Sequence, residues 1–70
     1  MENVNVQFGI RVRNLRLKKK VSQEKFAGLI EIDRTYMTDI ENGKRNVSLA
    51  IIQKIAKGFD LKISELLEDL

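Results

Sequence analysis

The spacing of apolar residues restricts this chain more than any other feature. They recur at helical rather than alternating intervals, and no proline interrupts them. Segments that bury one stripe every three or four residues need other helices to pack on, so the expected class is all-α. Capping residues and glycines cut the pattern into five short helices. The first is expected over Asn5–Lys19, with Phe8, Val12 and Leu15 as its stripe and Arg16 one turn below Val12. The second covers Gln23–Leu29 behind Ser22 as its cap. The third covers Arg34–Glu41, between Asp33 as cap and Asn42-Gly43 as stop. A fourth runs over Leu49–Lys57 from Ser48, with Leu49, Ile52, Ile55 and Ala56 inward and Gly58 beyond its end. A fifth covers Ile63–Asp69 and supplies Ile63, Leu66 and Leu67.

Composition closes off most chemistry. The 70 residues are expected to form one domain, residues 1–70, and a domain that short buries only ~60% of its unfolded surface. Without Cys or His there is no thiolate nucleophile, imidazole base, disulfide or ordinary zinc site. No cofactor or metal is implied. Glu65 and Glu68 are paired carboxylates on a short terminal helix with no implied pocket, so the chain is not expected to be an enzyme. No apolar run reaches the ~20 residues that cross a bilayer, and no membrane partner is expected. Met1-Glu2-Asn3-Val4 lacks the basic-then-apolar layout of a leader, so a cytoplasmic protein is expected. Thirteen Lys and Arg against ten acids give a charge of +3, compatible with a polyanion.

The informative stretch is Gln23 to Glu41. Phe26 and Ile30 share one face of the second helix, and Met37 and Ile40 share one face of the third. Only Leu29-Ile30-Glu31-Ile32 separates them, which forces a steep crossing with a small residue at the contact, and Ala27 suits it. That is helix-turn-helix logic: one helix braces a second whose outer face is polar. Here that face is Arg34, Thr35, Thr38 and Asp39, with Tyr36 at its side. Arginine can bond guanine O6 and N7 together, threonine suits thymine, and aspartate can accept from cytosine N4. Lys44, Arg45 and Asn46 follow at the same edge, while Ser22 and Gln23 mark a helix N-terminus aimed outward as a phosphate clamp.

Gln23-Glu24-Lys25-Phe26-Ala27, with Asp33 through Asn46, resembles the phage-repressor (Cro/XRE) helix-turn-helix family. The Asp-Arg-Thr-Tyr start and the Gly-Lys-Arg-Asn-Val-Ser turn are most similar in motif to the controller proteins of bacterial restriction–modification systems. The resemblance spans about Phe8 to Leu67. It implies a compact five-helix phage-repressor-like DNA-binding domain with the helix-turn-helix at helices 2 and 3. It implies base contacts from Arg34, Thr35, Asp39 and Thr38, and backbone contacts from Gln23, Ser22, Tyr36, Lys44, Arg45 and Asn46. It also implies a salt bridge between Arg16 and Glu41. The family often has glycine where Lys20 and Glu31 stand, so both are expected in left-handed backbone conformations. It often has proline where Val47 stands, so a looser loop is expected there.

Outside that stretch, Arg11, Arg13, Arg16 and Lys18 to Lys20 form a cationic run, read as a solvated face except for Arg16. Ile51, Leu61, Ile63, Leu67 and Leu70 exceed what one small core needs, and Ile10 and Leu17 also lie off their stripe. The C-terminal cluster suggests a two-fold homodimer interface, which would require a near-palindromic double-stranded DNA operator. The expected function is therefore an autoregulatory transcriptional regulator, the controller of a restriction–modification operon, with RNA polymerase as a further partner. The alternative is an antitoxin or adaptor module whose DNA binding is secondary.

Overall fold

In the computed structural model, which describes residues 3–70, side-chain oxygens accept the free N–H groups at four helix starts. Met1 and Glu2, part of the leader argument, lie outside the described residues. The order is α1 (Val4–Lys19), α2 (Gln23–Leu29), α3 (Arg34–Glu41), α4 (Leu49–Gly58) and α5 (Ile63–Leu66). Ser22 accepts from the Lys25 N–H at 3.0 Å, Asp33 from Thr35 at 2.9 Å and Ser48 from Ile51 at 3.2 Å. A further cap, Asn3, accepts from Asn5 at 2.7 Å and starts α1 one residue earlier than expected. At α5 the Glu65 carboxylate reaches back to accept from the Lys62 N–H at 2.8 Å. Lys20 and Glu31 do take the left-handed conformation, with φ of 61° and 59°.

α1 and α2 both pack on α3. Phe8, Val12, Phe26, Ala27, Ile30, Met37, Ile40, Ile55, Ala56 and Leu66 form the core, and Phe26 stacks on Phe59 with ring centroids 4.3 Å apart. Two glycines set helix separations. A Cβ on Gly9 would strike the carbonyl oxygens of Ile40 and Glu41, so α1 can lie this close to α3 only with glycine there. A Cβ on Gly58 would come within 2.6 Å of Ile30 and 2.8 Å of Phe26, so α4 approaches α2 by the same device.

Four expectations need correction. Gly58 is the last residue of α4 rather than beyond it, for the packing reason just given, and Phe59 follows as the cap. Leu49 is 74% exposed, because Ile51 and Ile52 take the inward side of the first turn of α4 and pack against the core. α5 stops at Leu66 instead of Asp69. Arg11 of α1 captures its free carbonyls, donating to Leu66 O at 3.0 Å and Glu68 O at 2.6 Å, and Asp69 turns the chain with φ of 63°. The helical reading of the apolar pattern is also too simple at the N-terminus. Val4, Val6, Phe8, Ile10 and Val12 fall at every second position, yet the segment is helical. A helix spreads such residues around its circumference, so Phe8 and Val12 are buried while Val4, Val6 and Ile10 face solvent. Among the described residues no helix is long and apolar enough to cross a membrane.

Candidate nucleic-acid interface

The base of the site is a buried ion pair. Arg16 Nε lies 2.7 Å from Glu41 Oε2 and Arg16 Nη2 lies 3.0 Å from Oε1, a two-bond fork that fixes the α1–α3 angle. Arg16 Nη1 also donates to Val21 O at 2.8 Å, holding the turn after α1. Gln23 Nε2 adds a third bond to Glu41 Oε1 at 3.0 Å, and Arg13 Nε a longer one at 3.4 Å. Burial pushes the Glu41 carboxyl up. Hydrogen bonds from Arg16 and Gln23, the Arg16 charge and the Arg13 bond outweigh it and hold the group below its ordinary 4.5. The hydrogen bond to Glu41 in turn raises the Arg16 guanidinium despite its burial. Among the described residues no buried side-chain polar atom lacks a partner.

On this platform α3 turns its polar face to solvent. Arg34 and Thr35 are exposed, and Tyr36, Thr38 and Asp39 are half-buried along the same side. Thr38 Oγ1 sits 3.0 Å from Gln23 Oε1 and 3.1 Å from Arg34 O, so its single hydrogen is engaged within the protein. Beyond the helix, Lys44 and Arg45 are exposed, with Lys44 N–H donating to Asp39 O at 2.9 Å. Asn46 accepts from Asn5 of α1 at 2.7 Å, and Val47 packs against the core. The loop expected to be looser at Val47 is thus tied to α1 through Asn46 and to the core through Val47.

Gln23 differs from expectation: its amide is not aimed outward. One end donates to Glu41 and the other accepts from Thr38, so it links α2 to α3. At that helix start Ser22 is exposed, and its hydroxyl oxygen accepts from the Lys25 N–H. Arg13, assigned to a solvated face, instead braces α3 by also donating to Asn42 Oδ1 at 3.0 Å. Its position three residues before Arg16 puts both on one helix face, which is the signal that could have revealed it. Arg11 carried no such local signal, because its partners lie 55 and 57 residues away.

Of the residues expected at a dimer interface, Ile51, Leu61, Ile63 and Leu67 are half-buried against the core of their own chain. Leu70 is 38% exposed. Leu67 and Leu70 border a mostly apolar groove of about 320 Å³ whose other walls are Val4, Asn5, Phe8, Val47 and Ile52. The face is thus shared between the two ends of the chain, which the sequence pattern did not reveal.

Residues 12–66 match the helix-turn-helix family. The chain is 46% identical over 71 residues to the control protein C.MunI of a Mycoplasma species, covering 100% of this chain and 96% of that one. It is also 46% identical to the control protein C.BamHI of Bacillus amyloliquefaciens, over 94% of this chain and 83% of the other. Among solved structures, the restriction-modification controller protein C.AhdI from Aeromonas hydrophila superposes with a TM-score of 0.84 at 47% identity. That match covers 89% of this chain and 90% of that one.

Proposed function

The chain belongs to the Cro/XRE-type helix-turn-helix family, and from that membership we propose that it is a sequence-specific, DNA-binding transcriptional regulator acting as a homodimer. One observation carries this reading: the polar face of α3 is presented outward by a helix whose opposite face is locked by Met37, Ile40 and the Arg16–Glu41 fork. A rod fixed on one side and hydrated on the other can enter a major groove without reorganising.

In this account Lys44, Arg45 and Asn46 grip the backbone on one flank. Ser22 and the α2 N-terminus grip it on the other, with Tyr36 at the border between contacts. Gln23 acts from behind, by holding Thr38 and Glu41 in place. Arg34 reaches a guanine edge, Thr35 and Thr38 meet neighbouring bases, and Asp39 accepts from a cytosine amine. Two copies joined through the Leu67–Leu70 face would set two α3 rods ~34 Å apart on one side of a near-palindromic operator. The relatives named as controllers of restriction–modification support an operator in the chain's own operon, where the bound dimer would exclude or contact RNA polymerase. The protein would work in the cytoplasm.

The test is footprinting on DNA upstream of the gene, with affinity measured across salt concentrations. Two protected half-sites about one helical turn apart and a steep loss of affinity with salt are expected. Sedimentation should give a dimer that Leu70→Glu weakens. A strictly monomeric protein, or binding indifferent to sequence, would reject the proposal.

A further inference from the structure

Both arginines on the DNA-facing surface already hold a carboxylate of their own. Arg34 Nη1, at the start of α3, lies 3.4 Å from Oε2 of Glu24 on α2. Arg45 Nε, in the loop after α3, lies 3.2 Å from Asp39 Oδ2, and its guanidinium carbon stands 5.2 Å from the centre of the Tyr36 ring. These pairs cross between elements: α2 to α3 in one case, α3 to the following loop in the other. The first pair is open to solvent and the second partly so, and neither holds the fold together to any large extent. Two negative charges on a surface that faces phosphates oppose binding, yet here each is placed on an arginine.

We propose that Glu24 and Asp39 are specificity residues, each the resident counter-ion of a DNA-facing arginine, which makes non-operator DNA compete with the protein itself. The inference rests on the function proposed above. On an arbitrary duplex, pulling Arg45 onto a phosphate strands Asp39 beside other phosphates, and the gain from counterion release is cancelled internally. On the operator both arginines and Asp39 find new partners. Arg34 gains a guanine edge, Arg45 a phosphate, and Asp39 a cytosine amine, while exposed Glu24 returns to water. The carboxylates therefore penalise wrong sequences more than the right one. Tyr36 keeps Arg45 beside Asp39 between encounters, so the exchange starts from a defined geometry.

The experiment compares wild type with Glu24→Gln, Asp39→Asn and the double variant, all checked for unchanged thermal melting. Each is titrated with two probes: the best duplex that the wild-type chain selects from a random-sequence pool, and a scrambled duplex of equal length. Asparagine at 39 can still accept from Arg45, so the substitution removes charge while keeping the contact. Glu68→Gln, at the C-terminal end, makes the same change in net charge away from the face. For scrambled DNA, each of the first two substitutions should strengthen binding several-fold. The slope of log affinity against log salt should steepen by up to ~0.9 per arginine freed in each protomer. The double variant should lose about tenfold in the ratio of selected to scrambled affinity, and Glu68→Gln should shift neither probe appreciably. Unchanged scrambled-DNA affinity and slope in a wild type that still discriminates would overturn this inference alone. Equal gains on both probes, or an equal effect from Glu68→Gln, would reduce it to bulk charge and overturn it too. A wild type that selects no duplex would take the proposed function down with it.

Discussion

Between α1 and α3, Arg16 meets Glu41 at 2.7 Å, with side-chain exposures of 10% and 0%. On the outer face, Arg34 meets Glu24 at 3.4 Å, with exposures of 67% and 76%. The chemistry is the same and the consequence is opposite. A buried fork cannot change partners, because removing either member strands the other away from water. An exposed pair is worth ~0–1 kcal/mol and can trade its partner for a base or a phosphate. The molecule thus fixes the orientation of α3 with ions that stay paired, and in the proposed reading it meets DNA with ions free to exchange.

Breaking the buried side should give the largest effect. Arg16→Met leaves the buried Glu41 charge with only the Gln23 amide and the longer Arg13 contact, and urea unfolding should show a loss of ~3–5 kcal/mol. Arg16→Met/Glu41→Leu should recover much of it, because the double variant buries no charge. Absence of coupling in that cycle would show that the fork does not set the α1–α3 geometry. Acid should loosen the same region. The folded Glu41 carboxyl titrates below its ordinary 4.5, so its contribution is complete above that pH and is lost as pH falls through the folded value. Unfolding measured on either side of pH 4.5 should show this loss, and Glu41→Gln should make the acid dependence shallower.

Backbone changes sharpen the contrast at smaller scale, since they touch neither set of ions. Lys20 caps α1 at φ 61° and ψ 42°, where a side chain costs about 1 kcal/mol relative to glycine. Lys20→Gly should raise the melting temperature without altering DNA affinity. Gly28→Ala should stabilise by ~0.5–1 kcal/mol, because a Cβ there meets nothing within 4 Å on an exposed helix face. A drop in melting temperature for either variant would contradict the local geometry described here.

Much of this arrangement was legible in the chain because it is local. Ser22, Asp33 and Ser48 cap helices through bonds to residues two or three positions on, whereas the left-handed turns at Lys20 and Glu31 were expected only from the resemblance, which often has glycine there. Arg34 and Thr35 faced outward as expected because Met37 and Ile40 face in. What stayed hidden depends on distant contacts. Gly9 is required by carbonyls of Ile40 and Glu41, Arg11 by carbonyls at Leu66 and Glu68, and Asn5 by Asn46. Gln23 was read outward because a helix N-terminus normally faces solvent, and only the fold brings Glu41 and Thr38 to its amide. No periodicity encodes which residues meet across a core.

The central claim, that the outer face of α3 reads base identity, is tested most directly by comparing the base preferences of Arg34→Ala and Arg45→Ala over a randomised operator. Arg34→Ala should relax preference at one base pair in each half-site by ~1–3 kcal/mol, leaving the others intact. Arg45→Ala should weaken operator binding without shifting the preference at any one base pair. An Arg34→Ala profile identical to wild type at every position would contradict the account.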